Sequence, residues 1–436
     1  MRFRHSIVAV FLLMIPVSGL SASPISVDQA VSQALAKNKE LQVKRLAVKT
    51  VEAERLKARL WSPSNPELEV EAVSDLFTAK TGEGTLRLGV SQEFELGGQR
   101  SHRLQIAEAH VELARLDLAI AEESLAREVR AVFYSLLLEQ RKLAFVRYAD
   151  SLAEALRDTA AVRVRSGFLP TSEFTFLDLD LASARTIIHK TQAALNETQT
   201  QLAWLLGEAS DTALEAIGEM NYLPLSLTEE QFVGLATTHR PEIQESRLRQ
   251  TGTTAELKLA YAERIPSLRV ATFYSREHSV FTSDNFTGFG QGHYGLKDTD
   301  HLFGLRFSLP LPLLDKRRSE IARFRNQMEV NDATLHSTES QIRYEARSAF
   351  RTLQSAELTI DLLQKVLPES DSLFQSLQSA YAQGRLRVAD YLPQRDRLLS
   401  TRLNLLDAYS AYVMARKECE RSSGMEWDRI RQGEEK

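Results

Sequence analysis

Two periodicities alternate along this chain. In "LEVEAV" from Leu68 and "LRLGVSQEFEL" from Leu86, apolar and polar residues take turns one for one. Leu68, Val70, Leu86, Leu88, Val90 and Phe94 fall on one side, and Glu67, Glu69, Glu71, Arg87, Ser91, Glu93 and Glu95 on the other. A period of two predicts strands with one apolar and one polar face. Phe303, Leu305, Phe307 and Leu309, set against Arg306 and Ser308, repeat the pattern. Elsewhere Leu113, Leu116, Ile120, Leu136, Leu143 and Leu152 recur at helical spacing, as packed coiled-coil-like helices require. From Gln99 to Ser166, between Gly98 and Gly167, the chain has neither Gly nor Pro. The stretch from Lys316 to Gln383, between Asp315 and Gly384, is equally long and interrupted only by Pro368, which predicts a kink or break there. At 1.5 Å per residue each stretch would extend about 100 Å as a helix, longer than a compact domain allows.

The pattern occurs twice. At one constant offset, Leu86 to Gly207 matches Phe303 to Gly424 without a gap. Ser91 falls on Ser308, Glu128 on Glu345, Phe133 on Phe350, Gly167 on Gly384 and Arg185 on Arg402. The segments before the strands correspond at a slightly shorter offset, where "SVDQAVSQALAKNKELQ" from Ser26 parallels "TEEQFVGLATTHRPEIQ" from Thr228. Each opens with a capping box, Ser26/Gln29 and Thr228/Gln231, that predicts a helix start. Self-similarity over this length predicts a tandem repeat. The expected organisation is a first repeat over 23–220, with a hairpin at about 66–96 and helices over 98–166 and 170–206. A second repeat over 221–424 has its hairpin at about 266–311 and helices over 316–383 and 386–422, with a tail over 425–436. "FELGGQR" and "LLDKRR" are the strand-to-helix corners, with Gly97 and Gly98 in the first and Asp315 in the second. Gly167 and Gly384 suit the left-handed residue after a helix end, and Pro170 suits the first turn of the returning helix.

The N-terminus bears on the compartment. Arg2, Arg4 and His5 precede an apolar run from Ile7 to Val17 and then "SGLSAS", which predicts a signal peptide over 1–22 cut near Ser21 or Ala22. No cysteine lies near that site, so no lipid is expected on the mature N-terminus. No later apolar run is long enough for a membrane-spanning helix. A net charge of −4 gives no basic surface suited to nucleic acid. Cys419, alone in the sequence, rules out an internal disulfide or a cysteine-rich metal site. The two-faced strands fit either a sheet on a core or a lipid-facing barrel with a wet lumen. Four strands cannot close a barrel, for which about eight is the smallest useful number. Open edges are not tolerated in lipid, so a membrane barrel here requires several chains.

A signal peptide followed by two copies of helix, two strands, very long helix, turn and helix resembles the outer-membrane factor (TolC) family over nearly the whole mature chain. "NPELEVEAV", "SQEFELGGQR" and "YAQGRLRVADYL" are most similar to its CzcC-like, heavy-metal and cation efflux branch. The resemblance implies a mainly α fold with membrane β: a homotrimer whose 12-stranded outer-membrane β-barrel continues into a periplasmic α-helical coiled-coil tunnel. It implies a passive channel in a tripartite system, working with a periplasmic adaptor (membrane fusion protein), an inner-membrane pump and outer-membrane lipid. Residue by residue, it places the periplasmic gate at Asp390 and its first-repeat counterpart Glu173, an acidic ring that would select cations. Pro393 stands where the family often has a second aspartate. Leu386, between Arg385 and Arg387, stands where a basic residue can lock the closed state. Arg165, Gly167, Phe168, Leu169, Gly384, Arg385, Leu386 and Arg387 are the expected adaptor-docking tips. Type I protein secretion or drug efflux is the alternative within the class, and a periplasmic coiled-coil adaptor or structural protein the alternative outside it.

Other features point to no catalysis. "FTSDNFTGFGQGHYGLKDTDHLF" from Phe281 reads as a surface loop in which His278, His293, Asp298, Asp300 and His301 are loop polars rather than metal ligands. "GFGQG" lacks the lysine of a phosphate loop, and "NFT" at Asn285 is a sequon by pattern only. Asp178 and Asp180 fall on opposite helix faces. No HExxH, GxSxG or Ser/His/Asp grouping occurs, so neither enzyme activity nor a resident metal or cofactor is expected.

Overall fold

A computed structural model of the chain describes residues 23–75, 82–209, 214–220, 222–283 and 294–432. The expected signal peptide (1–22), Asn285 and His293 lie outside the described residues. In chain order the elements are β1 (Ser23–Ile25), α1 (Val27–Lys37), α2 (Lys39–Ala58), β2 (Glu67–Ser74), β3 (Gly84–Phe94), α3 (Gln99–Arg165), α4 (Thr171–Leu206), β4 (Leu214–Ala216), α5 (Glu229–His239), α6 (Pro241–Ala262), β5 (Leu268–Ser283), β6 (Tyr294–Ser308), α7 (Arg318–Ala382), α8 (Val388–Ser423) and α9 (Trp427–Gln432). Both capping boxes form. Gln29 N donates to Ser26 Oγ at 3.4 Å and Gln231 N to Thr228 Oγ1 at 3.3 Å, while each glutamine side chain accepts from the cap backbone.

Two expectations are corrected. Of the kink or break expected at Pro368, the break does not occur: α7 continues through it. Proline removes one backbone donor, and the hydrogen bonds of the turns on either side carry the helix past it. The stretch from Phe281 is not wholly a loop either: β5 reaches Ser283 and β6 begins at Tyr294. His278, Asp298, Asp300 and His301 therefore sit on paired strands. For Asp298 and Asp300 the polarity reads as loop composition only if the partner strand is ignored, because a wet strand face is polar too; His278 and His301 lie on the opposite, apolar face.

The chain forms two compact units, each drawn from both repeats. The repeat is thus a unit of sequence and not of packing. One unit comprises residues 1–42, 121–239 and 342–436. Its core gathers Val129, Phe133, Leu136, Leu202 and Leu206 against Ala30, Ala34, Leu214 and Ala216, with the short parallel pair β1–β4 beside them. Gly207 closes α4 in the left-handed conformation, its N–H and that of Glu208 satisfying the carbonyls of Trp204 and Ala203.

The other unit comprises residues 43–120 and 240–341. It holds one antiparallel sheet in the order β2-β3-β5-β6. Register pairs Leu68 with Val90, Val90 with Thr272 and Thr272 with Leu305, so one apolar row crosses all four strands. Most of this face is open among the described residues: Leu68 is 73%, Phe303 85% and Leu305 69% exposed. A sheet resting on a core would bury those side chains, at roughly 1.5–3 kcal/mol each. The polar face carries the ion pairs Arg87–Glu71 (2.8 Å) and Arg269–Glu67 (3.1 Å). Phe273 also lies on that face between Gly89 and Gly304, with the guanidinium groups of Arg87 and Arg306 over its ring at 5.1 and 5.4 Å. A Cβ on Gly304 would stand 2.3 Å from the ring, so a larger residue there would have to push the ring aside. Among the described residues no helix is long and apolar enough to cross a membrane.

Candidate functional site: the helix tips, the corners and the sheet

The two tips are built alike. After α3, Gly167 has φ 74°, its N–H donating to Val164 O at 3.0 Å and that of Phe168 to Arg163 O at 2.9 Å. After α7, Gly384 has φ 73°, with Gly384 N to Tyr381 O and Arg385 N to Ala380 O both 2.9 Å. Both are Schellman ends, in which a residue without a Cβ takes the left-handed position and frees the next N–H to close the helix. The tips share one small core. Leu177, Leu377, Tyr381, Val388 and Tyr391 are buried, and Leu169, Phe174, Leu386 and Leu392 pack against them. Tyr381 and Tyr391 stack at 4.8 Å, and Arg163 donates across to Ala382 O at 3.0 Å.

This core divides the expected docking residues. Phe168 stands 84% exposed, and Arg165, Arg385 and Arg387 are exposed beside it. Leu169 and Leu386 are half-buried against the tip core. Asp390 lies exposed in the first turn of α8, where the helix dipole favours a carboxylate. Glu173 takes the equivalent place in α4, half-buried. Burial pushes the Tyr381 phenol up, Arg163 opposes that, and the charge of Glu173 adds to it.

Behind the tips is an ion pair that sequence reasoning missed. Arg395, 5% exposed, donates to both carboxylate oxygens of Asp180 at 2.8 and 2.5 Å and to Asp396 at 2.7 Å. It lines a cleft of about 270 Å³ with Phe145, Ile187, Leu399 and Leu403. Desolvation pulls its guanidinium down, but the carboxylate hydrogen bonds outweigh that and the net shift is upward. Asp178 faces Arg157 instead, at 3.0 Å. One signal was available: at the repeat offset Arg395 stands where the first copy has Asp178, and Arg397 where it has Asp180. Opposite charges at equivalent positions are what a cross-repeat pair needs.

The corners differ. Gly98 has φ 72°, and Gly97 is pressed so closely that a Cβ would stand 2.4 Å from Ala262 O. Gln99 locks that corner, accepting from Gly97 N at 2.8 Å and donating to the carbonyls of Ala262 and Ile265. In the second copy Asp315 accepts from Arg317 N at 2.8 Å, and Arg317 itself takes φ 55°, held by Glu320 and Glu263. On the sheet, His278 and His301 lie on the apolar face, whereas Asp298 and Asp300 lie on the polar one, so the four do not converge. Among the described residues no group of three or more His, Cys, Asp or Glu is placed to hold a metal ion.

Comparison with known proteins completes the picture. The profile of the family described as outer membrane efflux protein matches residues 30–208 and 233–424. The cobalt-zinc-cadmium resistance protein CzcC of Cupriavidus metallidurans is 22% identical over 405 residues, spanning 93% of this chain and 91% of that protein. The solved structure of CusC, described in terms of transmembrane channel formation, superimposes with a TM-score of 0.71 at 17% identity, covering 92% of both chains. The outer membrane protein VceC of Vibrio cholerae gives 0.70 at 16% identity, covering 92% of this chain and 96% of that one. At such identities these two structures speak to the fold alone.

Proposed function

This chain belongs to the outer membrane efflux protein family, and we propose that it is the outer-membrane channel of a tripartite pump that exports heavy-metal cations. The observation that carries the channel is the apolar sheet face left open to solvent across four strands. Hydrocarbon is the solvent that covers such a face at no cost, and it tolerates no open strand edge. β2 and β6 are both edges, so closure needs further copies, and three chains give a barrel of useful size. The polar face then lines the lumen. It carries Glu69, Glu93, Glu277, Asp298 and Asp300 beyond the carboxylates already paired to Arg87 and Arg269. A net acidic wall favours cations over anions. The lean to heavy metals rests on the likeness to a cobalt-zinc-cadmium resistance protein. The metal is cargo, and neither catalysis nor a bound metal is part of the reading.

The helices enter the periplasm, the Phe168 and Gly384 tips meet the adaptor, and Asp390 with Glu173 ring the entrance. Phe168 supports this, since a large aromatic at 84% exposure is what a partner surface buries. Heat-resistant trimers in the outer-membrane fraction are expected, and a soluble monomer would sink the reading. In planar bilayers, Asp390→Ala is expected to lower the cation-to-anion permeability ratio several-fold, because the charge lost stands at a constriction. Unchanged selectivity and conductance would remove Asp390 from the gate and leave the channel standing.

A further inference from the structure

We propose that the lipid-facing surface of the sheet ends, on the side away from the helices, in a binding surface for the phosphate groups of an outer-leaflet glycolipid, with Arg276 and Lys297 as its fixed charges. The inference rests on the channel reading above, in which the Ser74/Gly84 and Ser283/Tyr294 strand ends face outward because the helices leave from the opposite strand ends.

The argument comes from how charge is sorted between faces. Successive residues of a strand point to opposite sides, so the register assigns every side chain. On the lipid-facing side lie Leu68, Val70, Leu86, Leu88, Val90, Thr272, Tyr274, Phe303, Leu305 and their row-mates. Among the described side chains of the four strands, no carboxylate occurs on that side; every one lies on the lumen side. Beyond the Tyr274–Phe303 row the lipid-facing side turns basic. Arg276 pairs across to His301, and Lys297 pairs across to Val280. At the same level the lumen side carries Glu277, Asp298 and Asp300. Water on both sides would impose no such separation. A lumen on one side and anionic headgroups on the other would.

The local geometry marks where hydrocarbon ends. Tyr274 packs against Phe303 at 5.0 Å, stacks on His301 and hydrogen-bonds its Nδ1 at 2.6 Å. A ring with an apolar body and a polar tip is characteristic of the membrane–water boundary. Arg276 is the next residue outward on that face, and both it and Lys297 are exposed. They stand four residues apart along neighbouring strands, about 14 Å at strand spacing. That distance is too great for one phosphate, so each takes its own, as a bis-phosphorylated sugar lipid or two adjacent lipids would present. Guanidinium and ammonium groups with no acid among the described side chains of their own face can make such charge-assisted bonds.

The test uses the purified trimer and lipopolysaccharide as probe, read by thermal melting of the trimer. Wild type is expected to gain melting temperature on addition of lipopolysaccharide, and Arg276→Gln/Lys297→Gln to lose most of that gain. Arg276→Lys, which keeps the charge, is expected to retain most of it. Dephosphorylated lipopolysaccharide and inorganic phosphate are expected to give no gain. An equal gain in the double variant, or with dephosphorylated lipid, would overturn the assignment. A gain from inorganic phosphate alone would mark a free-anion site and overturn it too. Conductance separates the two levels: a trimer that conducts but does not discriminate phosphorylated lipid sinks this inference only, whereas a trimer without a pore sinks the channel reading.

Discussion

Asp180→Ala is expected to lower the unfolding free energy by about 3 kcal/mol, toward the lower end of what breaking a buried ion pair costs. The reason lies in what remains. Arg395 is 5% exposed and spans both oxygens of Asp180, itself 12% exposed. Removing the carboxylate leaves a guanidinium among Phe145, Leu399 and Leu403 with only the half-exposed Asp396 to face it. Asp396→Ala, by contrast, removes a partner already in water and is expected to stay within about 0.5 kcal/mol of wild type. Asp180→Leu with Arg395→Met should recover most of the loss, since an apolar pair of similar volume leaves no charge uncompensated. Thermal melting followed by circular dichroism measures all three. If Asp180→Ala melts with wild type, the pair holds nothing together.

Gly97→Ala should be the most damaging single methyl group at the strand-to-helix corner. Its Cβ would stand 2.4 Å from Ala262 O and 3.0 Å from Gln99 Nε2, so the backbone of α6 or the corner itself must move. Overpacking against side chains costs about 1–3 kcal/mol, and a backbone carbonyl yields less readily, so about 3 kcal/mol is expected. Gly98→Ala meets open space and loses only the ease of a left-handed φ, about 1–2 kcal/mol. The contrast is measured as the yield of heat-resistant oligomer for the two variants side by side. Equal yields would mean that the corner relaxes freely and that close approach to α6 is not its constraint.

Much of this was legible in the residues. Alternation in "LRLGVSQEFEL" gave the strand and its two faces, and the Gly-free runs gave α3 and α7, because both signals are local. Pro368 does not break α7 because a proline inside a long packed helix is outvoted by the turns on either side. His278 and His301 read as loop polars because their strand partners are distant in sequence. The β1–β4 ladder sets Pro24 beside Glu215, and neither short segment has a period to detect. Asp315 marked the second corner, yet the left-handed residue there is Arg317, stabilised by Glu263 and Glu320. No local propensity points to an arginine.

By itself the sequence determined the repeat, the helix and strand order, the two-faced strands, and the glycines at the tips. Each follows from backbone stereochemistry or from a periodicity within one element. Only the tertiary structure decided that the apolar sheet face is open and does not rest on a core. It alone brought Arg395 to Asp180, divided Phe168 from Leu169 at the tip, and set every described strand carboxylate on one face of the sheet with Arg276 and Lys297 on the other. Those are relations between segments far apart in the chain, and the free energy of burial and pairing that sets them has no local signature.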